Sequence, residues 1–304
     1  MRPMWLLFAF SGPVLWAAST HIDKYLVDRY FSNSDTAVLI VFTALIGVSM
    51  LPFIWFFNPA VLTLPGASIA VMVASGVLYM GAMLFYLQAI QSEEASVVAP
   101  LFQASVLFTV LLAYLLLGEA LTLSNAAGLV LIVLGTLVLS LDPSFHLRRL
   151  KLRLVLLMLA CTFILALASV IFKFYAVRDE FWATTFWTYA GEALFGIAIL
   201  AVPRYRRQFR LLLRTNTGPL LAVNGANELI NLGGGLGVRF ASLLAPVALV
   251  SAIASTTTLF VFAFGILLSL FLPALSRENL SRAGLIQKGV AIVVVTAGVL
   301  LANL

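Results

Sequence analysis

Residues 220–238 read LLAVNGANELINLGGGLGV, an apolar run interrupted by Asn224, Asn227, Glu228 and Asn231. Their offsets of 0, 3, 4 and 7 place all four within an arc of about 100° on one helix face. A second acid lies upstream, where Thr185, Tyr189, Glu192 and Gly196 share a face at offsets 0, 4, 7 and 11. The chemistry open to such groups is binding and proton carriage: a carboxylate attracts an amine or holds a proton, and amides orient a polar ligand. Other chemistries lack their residues. There is no GxxxxGK[ST] motif, NLGGGLG follows no strand, and no Ser/His/Asp or two-His-carboxylate set is visible. One cysteine, Cys161, and two histidines, His21 and His146, supply neither a disulfide nor a metal site. No cofactor, metal or enzymatic activity is therefore expected.

The elements that must hold these groups are membrane helices. The 304 residues are 62% hydrophobic and only 10% charged, with a mean hydropathy of +1.10. Soluble domains carry about 25% charged residues. Apolar stretches of about 20 residues recur and the alternation of a barrel does not, so the fold class is all-α integral membrane. Apolar runs and their breakers predict ten transmembrane helices at 4–24, 36–57, 67–90, 95–117, 122–141, 152–176, 181–202, 217–240, 244–272 and 284–303. NPAVLTLPG, LDPSFHLRR and VPRYRRQFR mark the breaks after the second, fifth and seventh. The N-terminal MRPMWLLFAFSGPVLWAAS imitates a secretory signal but is read as the first span.

Ten spans put both termini on one side. Of the 18 Lys and Arg, Arg2, Lys173, Arg178 and Arg239 then share that side and the other fourteen lie opposite. The positive-inside rule makes the fourteen cytoplasmic and both termini non-cytoplasmic, in a multi-pass protein of the inner (plasma) membrane. The net charge of +6 is thus loop charge, and no nucleic-acid partner is expected.

Glu192 and Glu228 each fall roughly eleven residues inside their spans, near the midplane at about 1.5 Å per residue. Each costs roughly 2.5–3.5 kcal/mol to insert there. Neither has a basic partner at i±3 or i±4 of its own helix, and the nearest candidate cation, Lys173, is expected near the outer surface. Three readings stand open. The acids line a cavity that binds a cationic or zwitterionic solute or carries a coupling proton; they are interhelical hydrogen-bond glue; or one of them is interfacial. The shared stripe favours a binding role for Glu228, Asn224, Asn227 and Asn231. Tyr189, Trp16, Tyr86 (which shares a face with Tyr79) and Gln103, one turn after Pro100, are further candidates for the pocket wall, with ordinary packing as the alternative for each. The three glycines at 233–235 read equally as a hinge and as a seam for a neighbouring helix. HIDKYLVDRY, at the end of the first span, reads as a solvated helix end or part of an inner gate.

The chain also repeats. ASVVAP at 95–100 answers ASLLAP at 241–246 with an offset of 146, and each hexad is expected to open a helix after a charged turn, Glu93–Glu94 or Arg239. WAASTHIDKYL resembles LALASVIFKFY, relating Lys24 to Lys173 by 149. Two units, 1–146 and 147–304, follow; with an odd number of spans each, they lie inverted across the membrane. Residues 95–135, with the Ala-Pro opening, Gly118-Glu119 at the turn, Gly128 and Gly135, resemble an EamA unit of the drug/metabolite transporter superfamily. The resemblance implies a ten-helix bundle of two inverted five-helix repeats that moves a small organic metabolite by alternating access. It further implies an exporter or exchanger of an amino-acid-like or amine-bearing solute. The lipid bilayer is the expected partner, the two acids alone motivate a coupling proton as another, and monomer and homodimer stay open as the working unit. A multidrug or cationic-compound exporter, and a membrane-embedded binding or scaffold protein without turnover, are the alternatives.

Overall fold

The computed structural model describes residues 4–26, 36–92, 101–102, 104–140, 152–215, 217–271 and 282–302, and among them there are helices and no strands. In chain order the helices are α1 (Met4–Leu26), α2 (Thr36–Phe57), α3 (Gly66–Ser92), α4 (Ala104–Leu117), α5 (Leu123–Ser140), α6 (Leu152–Arg178) and α7 (Phe181–Ala201). They continue with α8 (Pro203–Thr215), α9 (Thr217–Leu244), α10 (Val247–Ala254), α11 (Thr257–Phe271) and α12 (Arg282–Ala302). Among the described residues, five segments are long and apolar enough to cross a bilayer, the pair α10–α11 counting as one, and a sixth is added if α7 and α8 are taken together. The protein is an all-helical, multi-pass membrane protein. α9, at 28 residues, has the length; its amides and acid lower its hydropathy.

Three features differ from expectation. VPRYRRQFR, expected as a loop, lies in α8, which bends 99° away from α7. Pro203 suits a first helical turn because its missing N–H would be unpaired there anyway. Tyr205, Phe209, Leu212 and Leu213 then pack on Ile22 and Leu26 of α1, Val38 and Phe42 of α2, and Val223 of α9. The second difference is the extent of α9, which continues through Arg239 to Leu244. The hexad at 241–246 therefore ends a helix instead of opening one. The break falls where Pro246 removes a donor and disfavours helical backbone at Ala245. Third, the expected span 244–272 is broken at Ser255–Thr256. Hydroxyls take up the strained carbonyls: Ser255 Oγ donates to Ala252 O at 2.6 Å, Thr256 Oγ1 to Ile253 O at 2.7 Å and Thr257 Oγ1 to Ala254 O at 2.7 Å. Backbone groups in a bilayer need such partners.

Glycine seams bring the helices together. α1 and α9 form the most extensive pair among the described residues and run antiparallel, with Phe8 edge-on to Phe240, Gly12 against Gly234 and Asp23 bonded to Asn227. α9 is continuous across Gly233–Gly235, so the segment is not unwound. Gly233 faces Leu15, Gly234 the Trp16 indole and Gly237 Ser11, which makes a seam with α1, whereas a side-chain carbon at Gly235 would meet nothing within 4 Å. α5 and α12 meet through Gly128, Gly135 and Gly298. α3 and α7 cross where Gly76 abuts the Thr188 carbonyl and Gly191 the Val73 carbonyl. α6 runs antiparallel to α3, with Ser75 bonded to Ala168 and Cys161 to Ala82. Without a hydrophobic drive between helices in lipid, such backbone approach supplies the dispersion contact that holds a bundle.

Gly191→Ala is expected to lower the unfolding temperature in detergent by the equivalent of about 1–3 kcal/mol, because the new methyl group must displace backbone. Gly225→Ala, where a side-chain carbon meets nothing within 4 Å, is expected to leave it unchanged or raise it slightly. Equal behaviour of the two variants in a thermal melt would contradict the seam.

Candidate functional site

The polar stripe of α9 points into the bundle. Asn224, Asn227 and Glu228 are buried, at 4%, 0% and 6% exposure. Glu228 Oε1 accepts a 2.7 Å hydrogen bond from Thr43 Oγ1 of α2, and Asn231 stands beside it one turn on. Asn227 Nδ2 donates to Asp23 Oδ1 of α1 at 2.6 Å, and Ser19 Oγ reaches the other oxygen at 3.5 Å. Asp23 as a residue is exposed, so this end of the stripe adjoins solvent. The Asn227 Oδ1 atom is buried and has no hydrogen-bond partner.

The other end of the stripe carries a cation. Arg239 Nη2 donates to Glu192 Oε1 at 2.8 Å, with the side chains 17% and 6% exposed. Its guanidinium lies 4.8 Å from the ring centroid of Tyr189 and 5.1 Å from that of Phe172. These are cation–π distances. Arg239 Nη1 is buried without a hydrogen-bond partner, as is Thr188 Oγ1 of α7. Tyr79 of α3 is within electrostatic reach of Glu192, Arg239 and Glu228, and so sits between the two ends. Gly235 lies on the same helical stripe, between Glu228 and Arg239, and a side-chain carbon there would meet nothing within 4 Å. The stripe therefore has room at its centre.

Arg239 was not expected in the site. Its offset of 11 from Glu228 puts it about 20° away on the same face, a signal that was present but read as a turn. Glu192 is thus no lone acid: its cation comes from α9, not from Lys173. Tyr189 is buried between Arg239 and Gly47 of α2. Asp23, expected at a solvated helix end, reaches back to Asn227. Trp16 joins the stripe from α1, its Nε1 donating to the Asn231 carbonyl at 3.4 Å. Tyr86 packs against Phe102 and in a cluster with Leu154 and Met158, within electrostatic reach of Asp23. Gln103 lies outside the described residues.

Lys173 has its own partner. It pairs with Glu119 and donates to the Ala245 carbonyl at 2.7 Å. Glu119 Oε2 also accepts from the Val247 amide at 2.9 Å, at the first turn of α10. Gly118 makes this possible: at φ 66° it ends α4, and the Glu119 amide turns back to the Ala113 carbonyl at 3.2 Å. The Gly-Glu pair that carries the sequence resemblance thus ties the first half of the chain to α6 and α10.

Residues 3–141 match the model of the EamA-like transporter family. That stretch, just under half of the chain, is EamA-like. It contains the Gly118-Glu119 pair that carries the sequence resemblance, and the likeness is to a family of transporters. No curated protein matches the chain. Among solved structures, one described only as a crystal structure of protein is similar in fold at a TM-score of 0.67 and 17% identity, with 99% of this chain and 97% of that one covered.

Arg239→Gln is expected to destabilise this EamA-like protein by about 3–5 kcal/mol, because it strands a buried carboxylate. Arg239→Gln combined with Glu192→Gln is expected to recover most of the loss in a thermal melt. Additive losses in the double variant would mean that the two side chains are not coupled.

Proposed function

We propose that this EamA-like protein is a secondary active transporter that exports or exchanges a small amino-acid-like or amine-bearing metabolite by alternating access. The substrate is held along the stripe from Asp23 to Arg239. The observation that carries the reading is the open space at Gly235 between an acid and a buried arginine on one interior face. Glu228 offers a carboxylate to an ammonium group, and Asn224, Asn227 and Asn231 orient the solute. Arg239, with one nitrogen unpartnered, offers a seat for a carboxylate. Trp16 and Tyr189 wall the site.

The architecture proposed with it is ten spans in two inverted units, 1–146 and 147–304. Two kinds of observation support it. The close pair α1–α9 in one half-to-half sense has a counterpart in α6–α3, and α4–α6 has one in α1 with α10–α11, as exchange of the halves requires. The offset that relates Lys24 to Lys173 also relates Thr43 to Glu192 and Tyr79 to Glu228. The site thus gathers around the axis that would exchange the halves. Inverted repeats with an interfacial site suit alternating access. A second reading, a cationic-compound exporter, has one observation in its favour: Asp23, Glu192 and Glu228 outnumber Arg239. Proton coupling is proposed from these same acids.

A thermal-shift screen of amino acids, polyamines, nucleosides and cationic drugs selects the solute for proteoliposome uptake. Glu228→Gln and Asn227→Ala are each expected to abolish uptake. Gly235→Leu is expected to reduce it at least about tenfold, the equivalent of ~1.4 kcal/mol, with an unchanged melting temperature. Normal uptake in all three would return the stripe to packing. Uptake indifferent to a pH gradient would remove the proton, and lack of counterflow would favour a binding protein without turnover.

A further inference from the structure

We propose that α8 is a binding site for the headgroups of anionic phospholipids in the adjoining leaflet. The helix starts where apolar α7 ends and turns 99° from it, which lays it near the membrane plane at the level of lipid headgroups. Its two sides are chemically opposite. Tyr205, Phe209, Leu212 and Leu213 are taken up by the ends of α1, α2 and α9, so most of the apolar side of the helix is spent on protein and Leu211 alone among its leucines stays exposed. Arg206, Arg207, Arg210 and Arg214 are exposed and fall within an arc of about 100° on the other side. Arg204, also exposed, flanks them and lies over the Tyr205 ring at 6.0 Å.

Such density of guanidinium groups in one short helix exceeds what orientation in the bilayer needs, and no acid lies in α8 to neutralise it. Guanidinium forks match phosphate oxygens in pairs. An anionic leaflet attracts each basic residue near it by about fivefold in partition, and the attraction is screened by salt. The partner that fits is therefore a phosphodiester lipid carrying net negative charge. Because the apolar side of α8 grips Ile22, Leu26 and Val223, a lipid held on the arginine side also braces the ends of α1 and α9 next to Asp23 and Asn227.

The test uses the full chain in nanodiscs of equal parts phosphatidylglycerol and phosphatidylcholine, with retained lipid counted by native mass spectrometry. The expected result is enrichment of phosphatidylglycerol that is lost in Arg206→Gln/Arg207→Gln/Arg210→Gln/Arg214→Gln. It should be kept when the same four positions carry lysine, and when Arg148, Arg149, Lys151 and Arg153 are changed to glutamine instead. Equal retention of the two lipids by the unaltered chain would overturn the proposal, as would an equal loss in the control variant. Displacement of the retained phosphatidylglycerol by inorganic pyrophosphate at matched phosphate concentration would assign the face to a soluble anion and overturn it as well.

Discussion

A charge inside a bilayer must find its counter-charge or its hydrogen bonds inside the protein, and the arrangement of this bundle follows from that demand. Arg239 and Glu192 come from α9 and α7, long helices separated in the chain by α8, and they meet at 2.8 Å. To bring them together, α7 must lie across α3 with backbone nearly touching, which requires Gly76 and Gly191. α9 must in turn lie along α1, which requires Gly12, Gly234 and Gly237. Removing two ions from water costs several kcal/mol each. A buried pair of this kind is thus weak evidence for stability and better evidence that the position of the charges is worth that cost.

The same demand explains the family signature. Glu119 and Lys173 meet beyond the end of α4 and in the last turns of α6, with side chains only 16% and 12% exposed. There the pair acts as a clamp: one carboxylate serves a lysine and the first amide of α10, while the lysine closes the carbonyl left open at Ala245 by the Pro246 break. The donor at Val247 is thereby satisfied by Glu119 from the first half of the chain, and the acceptor at Ala245 by Lys173 from the second. A helix terminus that would otherwise be orphaned becomes a joint between the two halves.

Much of this was legible in the sequence because hydropathy and helical period act locally. The ends of α2, α6, α7 and α12 fall within two residues of the breaks that apolar runs suggested, and the stripe of Asn224, Asn227 and Glu228 was buried as its common face required. What was not legible depends on distant residues. The partners Thr43 and Asp23 come from α2 and α1, and no period within one helix points to them. Arg239 was missed for a different reason: charge was taken as the mark of a turn, although its register continued the stripe. α8 was missed because arginine-rich sequence looks like a loop until the apolar residues between the arginines are given something to pack on. For Gly233–Gly235 local sequence permits both flexibility and close packing, and only the presence of α1 on one side of α9 decides between them.

The stripe is also polarised, and this limits what can occupy it. At one end Asp23 lies open to solvent while holding Asn227; at the other, Arg239 is closed in by Glu192, Tyr189 and Phe172. These two positions on α9 are about 18 Å apart along the axis at 1.5 Å per residue, and the open space at Gly235 lies between them. In the proposed site, a solute entering past Asp23 would meet acids first and the arginine last. A simple cation finds partners at Asp23 and Glu228 but nothing to gain at Arg239, where it would have to compete for Glu192 with a guanidinium already in place. A solute that also carries a carboxylate meets an unused nitrogen there and can relieve a buried donor that the protein leaves unsatisfied. Charge order along the helix therefore favours a zwitterion over a cation on energetic grounds.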